Sequence, residues 1–197
     1  LSIKPQFYLT FLLAMGIAIV VPFCLTWIIG KKKLSEKDRG ICKQQQTGEI
    51  RAVVSGHVIP LEEVKDQVFS QRVMGDGVAI KPTGNVVKAP ADGMVTVVMQ
   101  DTGHACGITL DNGMELLIHV GIDTVELGGE GFEMLVKEGQ TVACGTPLIR
   151  FDRQKIKAAG YQDTTMLLIT GEGSAKEIKM KTGVDAAAGK TTVISYQ

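Results

Sequence analysis

Short apolar runs, rich in valine and isoleucine and separated by glycine-containing turns, dominate the chain beyond residue 50. The Asp111-Asn112-Gly113 turn lies between two such runs and is the strongest hairpin signal in the sequence. Many short strands joined by tight turns are typical of sandwiches and barrels, and they disfavour an alternating parallel α/β sheet. The pattern therefore predicts an all-β fold, a β-sandwich or barrel-like domain.

Turn residues divide the predicted strands from one another. Strands are predicted near residues 51–59, 77–81, 86–89, 94–100, 105–110, 114–121, 140–150, 165–170 and 191–195. Short helical pieces are predicted at 61–64 and 154–159. The strands should therefore carry most of the hydrophobic core.

The front of the chain has a different composition. No residue from Pro5 to Gly30 is charged, and a helix of that length can cross the hydrocarbon core of a bilayer. Three lysines follow at 31–33, which the positive-inside rule places on the cytoplasmic side. A signal peptide fits less well, because the apolar run is long and no small-x-small cleavage site follows it.

The chain thus divides into three predicted parts. Residues 1–30 are expected to form one transmembrane helix, with the membrane contact made by residues 5–30. Residues 31–50 are charged, glutamine-rich and without periodicity, and they are expected to form a flexible cytoplasmic linker. Residues 51–197 are expected to form the folded domain. Because the sequence begins with leucine, we expect it to be a piece of a longer polypeptide cut upstream of its last span.

Composition and motifs exclude several functions. Lysine and arginine total 21, and so do aspartate and glutamate, which argues against a nucleic-acid-binding protein. The four cysteines contain no CxxC pair, so no zinc ribbon is indicated and free thiols are expected. The segment from Gly183 to Lys190 has one residue too many between its glycines for a phosphate-binding loop. No cofactor and no metal are expected.

Three histidines, His57, His104 and His119, are candidates for chemistry. Alternation along residues 114–120 places one wholly apolar set on the core face: Met114, Leu116, Ile118 and Val120. His119 therefore lies on the other, partly wet face, where both a surface histidine and a reactive imidazole are possible. His104 alone would fit a half-buried structural histidine, and His57 is expected at the surface.

Four blocks together resemble the glucose-type enzyme IIA domain of the bacterial phosphoenolpyruvate-dependent sugar phosphotransferase system. They are VFSQRVMGDGVAIKP at 68–82, APADG at 89–93, TGHA at 102–105 and LLIHVGIDTVEL at 116–127. The resemblance covers essentially all of residues 51–197. It implies a compact antiparallel β-sandwich that accepts phosphate from the phosphocarrier HPr and passes it to a cysteine of an enzyme IIB domain.

The same resemblance assigns roles to individual residues. His119 matches the phosphate acceptor, His104 the second active-site histidine, and Thr102 a hydroxyl that holds that histidine. An exposed apolar rim for partner binding is implied by a further set: Val68, Phe69, Val73 and Met74. Asp66 and Asp123 match acidic contacts for basic partners. Ordinary core burial is the alternative for the apolar members of this set.

The apolar front end is similar to the last helix of enzyme IIC permeases of the sucrose, trehalose and β-glucoside group. The order of membrane segment, linker and enzyme IIA is typical of permeases fused in the order B-C-A. The resemblance therefore implies a bacterial inner-membrane protein with residues 31–197 in the cytoplasm, and the IIC portion of the same polypeptide as a partner.

Two other classes of protein are alternatives. A biotinyl or lipoyl carrier domain needs a modified lysine on a hairpin between its two half-motifs, but no lysine occurs between Lys88 and Lys137. A regulatory enzyme IIA-like domain would keep the fold and bind transporters or kinases without relaying phosphate. The presence of both His104 and His119 favours the relay.

Overall fold

The computed structural model describes residues 48–197, and strands connected by turns make up most of this part of the chain. The strands are β1 (Gly48–Arg51), β2 (Gly56–Pro60), β3 (Asp76–Pro82), β4 (Val86–Lys88), β5 (Gly93–Val98), β6 (Ala105–Thr109), β7 (Glu115–Ile122), β8 (Phe132–Met134), β9 (Thr141–Val142), β10 (Pro147–Phe151), β11 (Gln162–Gly171), β12 (Lys179–Met180), β13 (Val184–Ala186) and β14 (Thr192–Tyr196). The helices are α1 (Gln67–Ser70), α2 (Arg153–Ala158) and two 3-10 helices, Leu61–Glu63 and Thr124–Leu127.

Three antiparallel sheets organise the described residues. The largest has the order β13-β2-β3-β11-β7-β6-β5-β9, and the smaller two have the orders β1-β14-β12 and β4-β10-β8. Every strand pair in these sheets is antiparallel. The predicted all-β antiparallel class is therefore confirmed for residues 48–197.

The hydrophobic core joins side chains from all three sheets. The set predicted to face the core is buried, each member no more than 1% exposed: Met114, Leu116, Ile118 and Val120. They pack in one cluster with Ile50 of β1, Val87 of β4 and Ile149 of β10. Alternation along β7 was thus sufficient to identify the buried face of its strand.

The opposite face of the large sheet carries a second, smaller apolar cluster. Met166 and Leu168 of β11 point into it, together with Ala79 of β3. The chain between β2 and β3 covers these residues with Leu61, Val64 and Phe69. This second cluster positions α1 against the face that bears His119.

Two predicted strands are each split in the structure. The 51–59 run separates into β1 and β2, and the 140–150 run into β9 and β10, because the halves belong to different sheets. Strands β8, β12 and β13 were not predicted; each is at most three residues long and carries too little pattern to detect. Both helical pieces were predicted to within a residue.

The folded part begins earlier than predicted. Residues 48–50, assigned to the linker, belong to β1, and Ile50 is fully buried. The remainder of the predicted linker and the predicted transmembrane helix at 1–30 lie outside the described residues. Within residues 48–197, no helix combines the length and apolar character needed to cross a membrane.

Replacing the buried Ile118 by alanine should lower the free energy of unfolding by about 2–5 kcal/mol, since the substitution leaves a cavity between well-packed sheets. Met94→Ala, at a side chain that is 46% exposed on β5, should cost less than about 1 kcal/mol. Urea unfolding of both variants measures the difference. Equal losses would contradict the assignment of the two strand faces.

Candidate functional site

His119 lies in the middle of the large sheet, on the face away from the main core. In the β-ladder it is opposite Ala105 of β6 and Met166 of β11. Its ring packs against Phe69 of α1, with ring centroids 5.1 Å apart. The imidazole is therefore held from the side by a buried aromatic ring while remaining partly exposed to solvent.

The structure brings His104 directly beside His119. The two ring centroids are 4.7 Å apart and the rings meet edge to face, at an interplanar angle of 77°. The amide of Val120 donates to the carbonyl of His104 across 2.8 Å, so the backbones of the two histidine segments are also paired. His104 is only 7% exposed, so it is more buried than the half-buried position expected from sequence.

A backbone carbonyl determines which nitrogen of His119 carries the proton. Nδ1 of His119 is 3.0 Å from the carbonyl oxygen of Gly121. A carbonyl can only accept, so Nδ1 must donate, and the neutral ring then leaves its lone pair on Nε2. Gly121 has a φ of +84°, and a side chain there would meet both Thr124 and the carbonyl of Gln162. Only glycine fits this position.

His104 is held by a hydroxyl group. Its Nδ1 is 2.7 Å from Oγ1 of Thr102, the residue that the sequence resemblance paired with it. Thr102 and His104 sit on the short loop before β6, and Gly103 between them has a φ of +62°. Phe132 packs closely on this loop. A Cβ added at Gly103 would lie 2.9 Å from the Cβ of Phe132.

Burial keeps both imidazoles neutral. Desolvation and, to a smaller extent, the neighbouring His104 lower the pKa of His119, and the Gly121 carbonyl and the Asp66 carboxylate act in the opposite direction; the net pKa is about 4. Burial also lowers the pKa of His104. At pH 7 His119 is therefore an uncharged imidazole with an available Nε2 lone pair.

The residues expected to form an apolar rim divide into two groups. Val68, Val73 and Met74 are exposed, with Val73 at 70%. Phe69 is only 6% exposed, so the expectation that it is exposed is wrong. Its ring fills the second cluster and contacts His119, because the sheet surface beneath α1 is itself apolar and must be covered.

The two acidic residues have defined local positions. Asp66 caps α1, its Oδ1 accepting from the amides of Val68 at 2.9 Å and Phe69 at 3.1 Å. Asp123 is exposed, adopts a left-handed backbone with φ of 58°, and precedes the 3-10 helix that begins at Thr124. Asp66 thus contributes to the local fold as well as to the electrostatics of His119.

Sequence reasoning missed three exposed apolar residues at this face. Val97 of β5 is opposite Gly107, which is in turn opposite Leu117 of β7. Met99 donates its amide to the carbonyl of Ala105, the residue opposite His119. Val125 is exposed in the 3-10 helix after Asp123. Val97 belongs to a valine-rich strand, which is normally counted as core, so nothing in the apolar pattern distinguished this side chain.

The remaining candidates lie elsewhere. His57 is exposed, as expected, and pairs with Asp185 at 2.8 Å. Cys106 and Cys144 are free thiols, as expected; Cys24 and Cys42 lie outside the described residues. Burial raises the pKa of Cys106 to about 12, so this thiol stays protonated.

The geometry defines a histidine site suited to group transfer: a neutral imidazole with one free nitrogen, a second imidazole beside it, and apolar side chains around both. Comparison with known proteins agrees. Residues 48–175 match the model of the phosphoenolpyruvate-dependent sugar phosphotransferase system EIIA 1 family. The chain belongs to this family.

Relatives show how far the likeness extends. The glucose-specific EIIA components of Bacillus anthracis and Bacillus cereus are each 48% identical over 145 residues, which cover 74% of this chain and 87% of theirs. The glucose-specific EIIBCA component of Corynebacterium glutamicum is 43% identical over 147 residues, 75% of this chain but only 21% of that protein.

A solved structure, the glucose permease IIA from Mycoplasma capricolum, superposes with a TM-score of 0.70 at 34% identity. The match covers 76% of this chain and 96% of that one. Nearly the whole of the solved chain is therefore matched. Residues 46–197 form a compact unit of this chain, so experiments on the domain use this range.

The lowered pKa of His119 should make the domain less stable in acid. Between pH 7 and pH 4.5 the unfolded His119 binds a proton that the folded one does not, so the free energy of unfolding falls as pH falls. His119→Gln removes this term and should reduce the fall by about 2 kcal/mol. Urea unfolding at both pH values tests this. An unchanged pH dependence in the variant would show that His119 protonates equally in both states.

Proposed function

We propose that residues 48–197 form a phosphocarrier domain in which Nε2 of His119 takes a phosphoryl group from phospho-HPr and passes it to a cysteine of an enzyme IIB domain. The observation that carries the proposal is the Nδ1–H···O hydrogen bond to Gly121, because it keeps the proton off Nε2. Family membership supports a role in the sugar phosphotransferase system.

The proposed transfer balances without a metal or a nucleotide. The bond between the donor and phosphorus breaks as a new N–P bond forms at Nε2 of His119, and the electron pair of the broken bond stays with the donor. In the second step this N–P bond breaks, and the thiolate of the IIB cysteine forms an S–P bond. Such transfer depends mainly on in-line alignment and charge neutralisation.

Two groups stabilise the positive charge that phosphorylation places on the His119 ring. The ring becomes cationic when Nε2 is phosphorylated while Nδ1 keeps its proton. The Gly121 carbonyl accepts from that proton and the Asp66 carboxylate attracts the positive charge, the same contacts that favour the protonated ring in the free domain. These two contacts therefore stabilise the phosphorylated form of His119 until the phosphoryl group is transferred.

His104 is proposed to assist transfer by binding the phosphoryl oxygens. If the Thr102 hydroxyl donates to Nδ1 of His104, the proton of that ring lies on Nε2. With ring centroids only 4.7 Å apart, this N–H can reach a group held on His119. The two histidines would then use opposite tautomers, one to attack and the other to donate.

Partner binding is proposed to use the exposed apolar side chains around the site. Val68, Val73 and Met74 are exposed in and after α1, the helix whose Phe69 packs on His119. Asp66 and Asp123 would supply negative charge for basic partners. Phe69 contributes from beneath by packing on His119. A single rim that serves HPr and the IIB domain in turn is sufficient for a relay.

The domain is further proposed to be fused to the membrane part of a sugar permease. The apolar residues 5–30 and the lysines that follow support an inner-membrane protein with residues 31–197 in the cytoplasm. The match to a small part of an EIIBCA component supports fusion to a IIC permease. The process served would be sugar uptake coupled to phosphorylation.

Phosphorylation of the domain with phosphoenolpyruvate, enzyme I and HPr tests the relay. Wild type should acquire one acid-labile, alkali-stable phosphate, and His119→Ala should acquire none. His104→Gln should still accept phosphate but should transfer it to a IIB domain at least about tenfold more slowly, since a phosphate contact is lost. If wild type acquires no phosphate, the alternative function is favoured, that of a regulatory domain that binds partners without transferring phosphate.

The apolar rim makes a separate prediction. Val73→Lys should weaken HPr binding about tenfold, because a charge must be desolvated in the interface and it has the same sign as a basic partner. Met94→Lys is the matched control, since Met94 is also exposed but lies opposite Thr109, at the far end of β6 from Ala105. Titration of labelled HPr measures both affinities. Equal weakening would place the docking surface elsewhere.

A further inference from the structure

Thr124 is a fully buried polar residue in the turn that follows β7. It is the first residue of the 3-10 helix Thr124–Leu127, a place where a threonine side chain could easily face solvent. Its hydroxyl instead donates inward to the carbonyl of Val120 across 2.5 Å. A buried hydroxyl with a short bond to the strand that carries His119 requires an explanation.

The Val120 backbone is held at both its amide and its carbonyl. Its amide donates to the carbonyl of His104 at 2.8 Å, and its carbonyl accepts from Thr124. Val120 is also the residue between His119 and Gly121. Thr124 therefore fixes the stretch of backbone that connects the nucleophile to the carbonyl controlling its proton.

The methyl group of Thr124 acts on the next residue. A Cβ placed on Gly121 would lie 2.2 Å from Cγ2 of Thr124, so this methyl closes the space beside the Gly121 α-carbon. The ladder between β7 and β11 shifts register here, between Gln162 and Thr165. Regular strand pairing therefore does not set the direction of the Gly121 carbonyl, and a side chain must help.

We propose that Thr124 is a positioning residue that holds the Gly121 carbonyl on Nδ1 of His119 and so selects the tautomer with an unprotonated Nε2. The hydroxyl anchors the Val120 carbonyl and the methyl blocks rotation of Gly121. The consequence for phosphate transfer rests on the function proposed above. The consequence for the tautomer does not.

Three substitutions separate the two parts of the side chain. Thr124→Ser keeps the hydroxyl, Thr124→Val keeps the size without the hydroxyl, and Thr124→Ala keeps neither. Thr165→Val is the matched control, because Thr165 is equally buried and its hydroxyl also binds a backbone carbonyl, that of Asp163 at 3.3 Å. Thr165 faces the main core and not His119.

Nitrogen-15 chemical shifts of the His119 ring in residues 46–197 report the tautomer without any phosphate donor. Wild type and Thr165→Val should show Nδ1 protonated. Thr124→Ser should show mainly this tautomer, because it keeps the hydroxyl anchor and loses only the methyl. Thr124→Val and Thr124→Ala should show a mixture of tautomers, and their initial rates of phosphorylation by phospho-HPr should fall about tenfold, with Thr124→Ser restoring most of the rate.

Wild-type ring shifts in Thr124→Val would overturn the proposal, as would an equal change in Thr165→Val. If Thr124→Val fails to fold, the pair of Thr124→Ser and Thr124→Ala decides, since only the latter lacks the hydroxyl. A wild-type domain that accepts no phosphate but shows the expected nitrogen-15 shifts of His119 would contradict the proposed relay. The positioning role of Thr124 would still hold.

Discussion

The antiparallel pairing of β7 with β6 and β11 is the constraint on which the rest of the structure depends. This pairing gives β7 two faces, one wholly buried in the main core and one that bears His119. The buried face fixes the register, because a shift of one residue would exchange core and surface side chains. The imidazole is therefore placed by the packing of residues that take no part in chemistry.

The same pairing accounts for the second histidine. The turn at 111–113 joins β6 to β7 in a regular hairpin. A residue of β6 therefore pairs with the residue of β7 that lies the same distance from the turn. Ala105 is thus opposite His119, and the carbonyl of His104 bonds to Val120. The hairpin signal in the sequence was sufficient to predict this proximity, although only the family resemblance suggested it.

Other features could not be predicted from local pattern. Helix α1 has only four residues, too few for a helical period to be visible, and the burial of Phe69 depends on the apolar sheet surface beneath it. Thr124 begins a four-residue 3-10 helix, and no apolar period in so short an element indicates that its hydroxyl faces inward to the Val120 carbonyl. The two faces of a strand can be predicted from the alternation of its residues. The burial of Phe69 and Thr124 depends instead on which elements pack together in the fold, and a single short segment does not determine that packing.

The two ends of the folded part meet in one strand pair. Gly48 of β1 is opposite Tyr196 of β14, and the tyrosine ring occupies the space that a side chain at Gly48 would need. A module whose first and last residues are neighbours can be joined to other polypeptides, or circularly permuted, without distortion of its interior. This adjacency gives a physical basis for finding such a domain both as most of a short protein and as a fifth of a long one.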